Sequence, residues 1–178
     1  MRTSALSESQ QAQLVELLTV IKNDKGFIPD SCYELVYGLM PVAVIEVMLY
    51  DDEGRFLLKY REDQYFKGWH VPGGRVKRDE LVPDACVRHV REDKVADGVT
   101  DIRIIGVHPQ TKDEHPYGNP FCTLVAARPV GKVVENDTCK WFRDTPPDLI
   151  GPPQKQDQYI AFFKDWFTNH RDRYALPF

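Results

Sequence analysis

Two adjacent glycines, Gly73 and Gly74, lie between Val71-Pro72 and Arg75-Val76, and no other feature constrains this chain as tightly. With no Cβ at either position, the backbone can approach a neighbouring group that any other residue would hold off. A carboxylate, Glu80, follows after five intervening residues. The cluster Arg88-His89-Val90-Arg91-Glu92-Asp93 begins eight residues beyond it. This spacing predicts a loop feeding a helix over Pro83 to Lys94. On that helix positions 88, 89, 92 and 93 share a face, because residues three and four apart are neighbours. Two carboxylates on one face, beside exposed backbone carbonyls, make an all-oxygen site suited to a hard divalent cation such as Mg²⁺. Such an ion with an arginine nearby is what a diphosphate group needs.

Composition narrows the partners. The chain has 178 residues, long enough for one domain with a real core, and we expect a single domain over 1–178 with a helical N-terminal extension at about 7–39. Its net charge of −4 argues against a nucleic-acid binder, which would carry a basic excess or stripe. Cys32, Cys86, Cys122 and Cys139 are far apart, with no C-x-x-C pair, so structural zinc is not expected and reduced thiols are. No charged-then-apolar leader opens the sequence, and the longest apolar run, Leu39 to Tyr50, is interrupted by Pro41 and Glu46 well short of a membrane span. A cytoplasmic protein without membrane partners is the expectation.

Periodicity supplies the elements. Ser7-Glu8-Ser9-Gln10 reads as a capping box, and Leu14, Leu17, Leu18 and Ile21 follow at helical spacing to about Lys22. A short helix is expected at Ser31 to Leu39. Val42 to Leu49 is rich in β-branched residues and reads as a central strand, Asp51 to Gly54 as a hairpin turn, and Phe56 to Leu58 as the returning strand. Further strands are expected at Ile102 to Val107, Phe121 to Arg128 and Cys139 to Phe142. A rigid loop bracketed by Pro146-Pro147 and Gly151-Pro152-Pro153 precedes a last helix, from Gln154 to about His170. That helix is expected to turn Tyr159, Ile160, Phe163, Trp166 and Phe167 toward the core. A mixed α/β (α+β) architecture follows, with a β-sheet sandwiched between helices.

The glycine–helix segment resembles the Nudix box, G-x5-E-x7-R-E-U-x-E-E-x-G-U, where U is aliphatic. Gly74, Glu80, Arg88, Val90 and Glu92 match at the right spacing, and Asp93 stands for a Glu. His89 replaces the first Glu of the R-E pair, and Val95 replaces the late Gly. The GDP-mannose mannosyl hydrolase branch also lacks that Glu, and its box tends to read V-P-G-G-R-V-x-K/R-D-E; Val71 through Glu80 is that string. The similarity extends from Ile28-Pro29-Asp30 and Leu39-Met40-Pro41 through Arg61-Glu62-Asp63 to Trp141. The resemblance implies the Nudix fold, a Mg²⁺ (or Mn²⁺) cofactor, a small-molecule nucleoside diphosphate substrate and a homodimer.

The resemblance also assigns residues. It implies Glu92, Asp93 and a backbone carbonyl of Gly73 or Gly74 as metal ligands. Glu80 and Arg88 are implied to form a salt bridge that holds the loop to the helix and supports catalysis. Arg61 and Arg75 match arginines that face substrate, and guanidinium geometry suits phosphate. His89 has a pKa suited to a general base, but in that branch the base is instead a loop His next to a metal-binding Gln. Those two positions are Asn136 and Glu135 here, and since Asn cannot be a base, Glu135 is left to bind metal or activate water. His108, His115 and the loop from Thr111 to Pro120 are expected to form a substrate lid. The leading expectation is hydrolysis of a nucleotide sugar such as GDP-mannose to nucleoside diphosphate and sugar. The alternatives are ordinary pyrophosphate cleavage and a Nudix-fold protein that binds ligand without turnover.

Overall fold

The computed structural model describes residues 6–23, 32, 35, 39–111, 113, 115, 118–133, 135–150 and 158–170. Helix α1 spans Glu8–Asn23 and opens with the expected capping box. The Ser7 N–H donates to Gln10 Oε1 at 2.9 Å, and the Gln10 N–H donates to Ser7 Oγ at 3.3 Å. The helix expected at 31–39 falls mostly outside the described residues.

Among the described residues seven strands follow, in two sheets. Strand β1 (Pro41–Leu49) pairs in parallel with β6 (Asn119–Val130) and antiparallel with β4 (Gly73–Arg75), and β5 (Gly98–Pro109) closes the first sheet against β6. The second sheet is antiparallel, in the order β3 (Lys67–His70), β2 (Phe56–Glu62), β7 (Cys139–Phe142). Helix α2 spans Val82–Glu92, with Asp93 as its C-cap. Helix α3 spans Gln158–Asp165 and runs on into a five-residue π-helical turn, Trp166–His170.

One expectation is corrected. Asp51 to Gly54 does reverse the chain, but β1 and β2 are not a hairpin, because they meet only at the Tyr50–Phe56 bridge and then enter different sheets. Both edges of β1 are taken, by β6 and β4. From Val44 to Glu46 this leaves no donor row on β1 for β2 to pair with. The glycine pair, expected in a loop, is itself a short strand on β1. The Val47 N–H donates to the Pro72 carbonyl at 2.7 Å and the Val76 N–H to the Ala43 carbonyl at 3.1 Å.

The helices cover opposite sides of this frame. Ala85, Cys86 and Val90 of α2 pack with Ile45, Val47, Leu49, Leu57, Val125 and Ala127. Ile160, Phe163 and Trp166 pack with Met48, Tyr50, Phe56, Leu58 and Leu124. Tyr159 and Phe167, expected in the core, are only partly buried at its margin. The loop bounded by Pro146 is tied to β3: Trp69 N–H donates to the Asp148 carbonyl at 2.9 Å and Ile150 N–H to the Trp69 carbonyl at 2.7 Å. All four cysteines are free, and among the described residues no helix is long and apolar enough to cross a membrane.

Candidate active site

Arg88 ties the segment together. Its Nε lies 2.6 Å from Glu80 Oε1 and one terminal nitrogen lies 2.7 Å from Oε2, a bidentate pair. The same nitrogen donates to the Arg75 carbonyl at 2.8 Å, and the other reaches Glu92 Oε2 at 2.9 Å. One guanidinium thereby fixes the loop carboxylate, the end of β4 and the last turn of α2. Both partners are mostly buried, and paired, buried charge keeps its form: the Arg88 guanidinium holds the Glu80 carboxyl down at about 2.

His89 fills the position of the missing box Glu, and it is 7% exposed. Its Nε2 lies 3.0 Å from the Arg75 carbonyl, so the N–H donates there and helps to hold β4. The ring lies against Gly74, where a Cβ would come within 2.7 Å of its Cε1. Burial lowers its pKa, only partly opposed by that hydrogen bond, so the imidazole is neutral at pH 7.

Glu92 and Asp93 stand at the end of α2. Glu92 is exposed and shared between Arg88 and Lys77, whose Nζ is 3.6 Å away. Asp93 is half-buried, and Lys59 Nζ from β2 lies 2.7 Å from its Oδ1 and 3.0 Å from its carbonyl. Among the described residues no three His, Cys, Asp or Glu side chains are gathered at metal-binding distance.

Glu46 was missed at the sequence level as a site residue. It lies on β1 opposite Gly73, and a Cβ on Gly73 would stand 2.2 Å from the Ile45 carbonyl oxygen and 3.0 Å from Glu46 Oε2. Only glycine permits that approach. Burial, reinforced by the charge of Asp93, pushes the Glu46 carboxyl up to about 8, while Arg61 pulls it back. A lone acid inside a β-branched strand was a readable signal, since unpaired buried acids are rare. His70 on β3 was missed too; burial lowers its pKa against the opposing pull of Asp93. Tyr159 stands beside Glu46 and Cys122 and accepts a 3.2 Å hydrogen bond from Gln110 Nε2.

Arg61 is the penultimate residue of β2 and Arg75 ends β4, so they come from different sheets. Both positive charges act on half-buried His115, and Arg61 also acts on Glu46 and His70. Electrostatics thus link Arg61 to Glu46, Glu46 to Asp93, and both arginines to His115. His108 is not a surface loop residue: it is buried, edge-to-face with Tyr159 at 5.3 Å. Glu135 is exposed, just before the bridge between Asn136 and Cys139. Its charge and that of Asp93 both act on the buried Cys139 thiol, which burial pushes up to about 11. No hydrogen bond or ion pair to Glu135 is present among the described residues.

Two sheets clasped between helices, with a glycine strand leading through a Glu–Arg clamp into an acidic helix end, define a hydrolase of the Nudix class. The chain belongs to that family: the NUDIX domain model matches residues 40–171. The low-salt glycan biosynthesis protein Agl8 of Haloferax volcanii is 32% identical over 78 residues, covering 43% of this chain. That match spans 49% of Agl8, about half the length of this curated relative. Among solved structures, a UDP-X diphosphatase superposes with a TM-score of 0.54 at 13% identity, over 96% of this chain and 86% of its own. An ADP-ribose pyrophosphatase of Streptococcus suis superposes with a TM-score of 0.52 at 19% identity, over 74% and 96%. At such identities the superpositions establish the fold.

Proposed function

We infer that this chain hydrolyses a nucleoside diphosphate-linked substrate with the help of a divalent cation. The substrate class best supported is a nucleotide sugar such as GDP-mannose, released as nucleoside diphosphate and free sugar. The observation that carries this is the electrostatic linkage of two arginines from separate sheets with two acids, one of which, Glu46, lies against the glycine strand. Arginines complement the diphosphate, and the acids handle the cation and water. The Val71 to Glu80 string supports the sugar-releasing route, and the name of Agl8, a glycan biosynthesis protein, is in keeping with it.

The donor chemistry fits Mg²⁺ or Mn²⁺. Every candidate ligand is a hard oxygen: Glu92, Asp93, Glu135 and a carbonyl of Gly73 or Gly74. The cradle left at Gly73 by the missing Cβ faces the Glu46 carboxyl, so a further oxygen is within its surroundings. Such a cation, when bound, neutralises charge on the diphosphate leaving group. Arg61 and Arg75 hold the diphosphate from two sides. Arg88 and Glu80 keep β4 and α2 in register, which is support rather than proton transfer. His89 does the same through the Arg75 carbonyl.

That leaves two carboxylates for the attacking water. Glu80 is committed to Arg88, Glu92 to Arg88 and Lys77, and Asp93 to Lys59. Glu135 and Glu46 have no hydrogen-bond or ion-pair partner among the described residues, and we assign the water proton to Glu135, with Glu46 facing the substrate.

Turnover of GDP-mannose with Mg²⁺ in ¹⁸O water tests the route. Label in the sugar is expected. Label in a phosphate overturns carbon attack in favour of pyrophosphate cleavage, and binding of GDP-mannose without turnover of any nucleoside diphosphate compound leaves a ligand-binding protein.

A further inference from the structure

The tip of the β2–β3 hairpin and the β5–β6 connection belong to different sheets, and they meet beside the arginines. Asp63 fixes the tip. Its Oδ1 accepts from the N–H groups of Tyr65 at 2.8 Å and Phe66 at 3.0 Å, and its Oδ2 pairs with Arg61 Nε. The Asp63 N–H donates to the Phe66 carbonyl at 2.9 Å and closes the turn. These bonds seat the Arg61 guanidinium over the Phe66 ring, 4.6 Å from its centroid. From the β5–β6 connection His115 brings its ring to 5.6 Å from that of Phe66, tilted by 45°. Its own N–H is held by the Thr111 carbonyl at 3.1 Å. Burial, with the positive charges of Arg61 and Arg75, lowers the pKa of His115, so at pH 7 the ring is a neutral heteroaromatic.

Arg61 belongs to two neighbourhoods at once. Its charge acts on Glu46, which lies against the glycine strand, and its planar head lies on Phe66. Arg61 therefore links Glu46 and the glycine strand on one side with a patch of planar groups, Phe66 and His115, on the other. Aromatic rings and guanidinium planes are the surfaces on which nucleobases stack, whatever the base, because every base has a π-face.

We propose that Phe66 and His115, with the guanidinium of Arg61, form a ledge on which the base of the nucleoside diphosphate stacks, leaving its phosphates between Arg61 and Arg75. The ledge rests on the diphosphate reading of the site and adds the orientation of the substrate within it. Selectivity among bases is expected to be weak, since stacking carries no hydrogen-bond code.

Calorimetric titration of the full chain in Mg²⁺ with GDP, UDP and inorganic pyrophosphate separates the two ideas. Both nucleotides are expected to bind more tightly than pyrophosphate. Phe66→Leu should weaken both by roughly 5- to 100-fold, the span that stacking on an aromatic side chain carries, and leave pyrophosphate unchanged. Phe66→Tyr should restore nucleotide binding, and His115→Asn should weaken it in the same direction. If the wild type binds pyrophosphate as tightly as the nucleotides, or if Phe66→Leu weakens all three alike, the ledge is wrong and the diphosphate site stands. Binding of none of the three overturns both.

Discussion

Glu80 and Arg88 carry opposite charges eight positions apart, and their pairing was legible because the spacing set by the box leaves them few other partners. The carboxyl falls from its ordinary 4.5 to about 2 in the fold. A group whose pKa is depressed on folding contributes stability above its unfolded value and loses it as pH falls through the folded one. Two and a half units correspond to about 3 kcal/mol as an upper figure. Acid unfolding of the wild type should therefore steepen between pH 4.5 and 2, and Glu80→Gln should flatten that window and be less stable at pH 7; an unchanged profile by circular dichroism counts against the clamp. Glu46 stood out in the sequence only as a lone acid inside a β-branched strand; its place beside Gly73 depends on β4 lying against β1, which no local pattern announces. General-base help is worth ~10²–10⁴-fold in rate. Glu135→Gln is expected to lower kcat by that factor with KM little changed. His89→Gln should cost about tenfold or less by the same scale, because Gln can still donate to the Arg75 carbonyl. A reversed ranking would move the base to the helix.

Among the elements, β1, β5, β6, β7 and α2 were readable because each buries one face or both and its apolar residues recur accordingly, and α1 was readable from its capping box and apolar period although it buries no residue. Strands β3 and β4 were not. They have four and three residues, too short to show an alternation, and two of the three in β4 are glycines. What makes β4 a strand is β1, whose free edge accepts it in register from Val44–Arg75 to Glu46–Gly73. The β1–β2 turn misled for the related reason that turn chemistry fixes the reversal and not the pairing. Gly74 carries a prediction at this scale. A methyl group there would meet the His89 ring at 2.7 Å, and the backbone φ of +157° adds some strain. Overpacking of this kind costs ~1–3 kcal/mol. Gly74→Ala should lower the unfolding midpoint accordingly, and Gly74→Ala with His89→Ala should recover part of the loss relative to the sum of the two singles. Strict additivity in a double-mutant cycle would mean that the two residues do not share the space under β4.

For the molecule as a whole, the two cores draw, among the described residues, on every strand except β4 and on helices α2 and α3, but not on α1. Helix α1 has no buried residue, and Leu14, Leu17 and Leu18 are 45%, 62% and 48% exposed. Its described tie to the rest of the chain is a 3.0 Å hydrogen bond from the Arg78 guanidinium to the Lys22 carbonyl. A helix with an apolar stripe gains most of its stability from packing that stripe, and a single terminal hydrogen bond does not substitute for it. We propose that a second copy of this chain, in the homodimer that the resemblance implies, covers α1. Sedimentation of the wild type across a concentration series should then give a dimer at micromolar protein. The triple substitution Leu14→Ser, Leu17→Ser, Leu18→Ser should shift it to monomer. Because none of the three side chains is in either core, the near-ultraviolet dichroism from the aromatic core of Tyr50, Phe163 and Trp166 should be unchanged in the variant. A wild type that stays monomeric throughout, or a variant that dimerises as well as the wild type, would leave α1 with some other role.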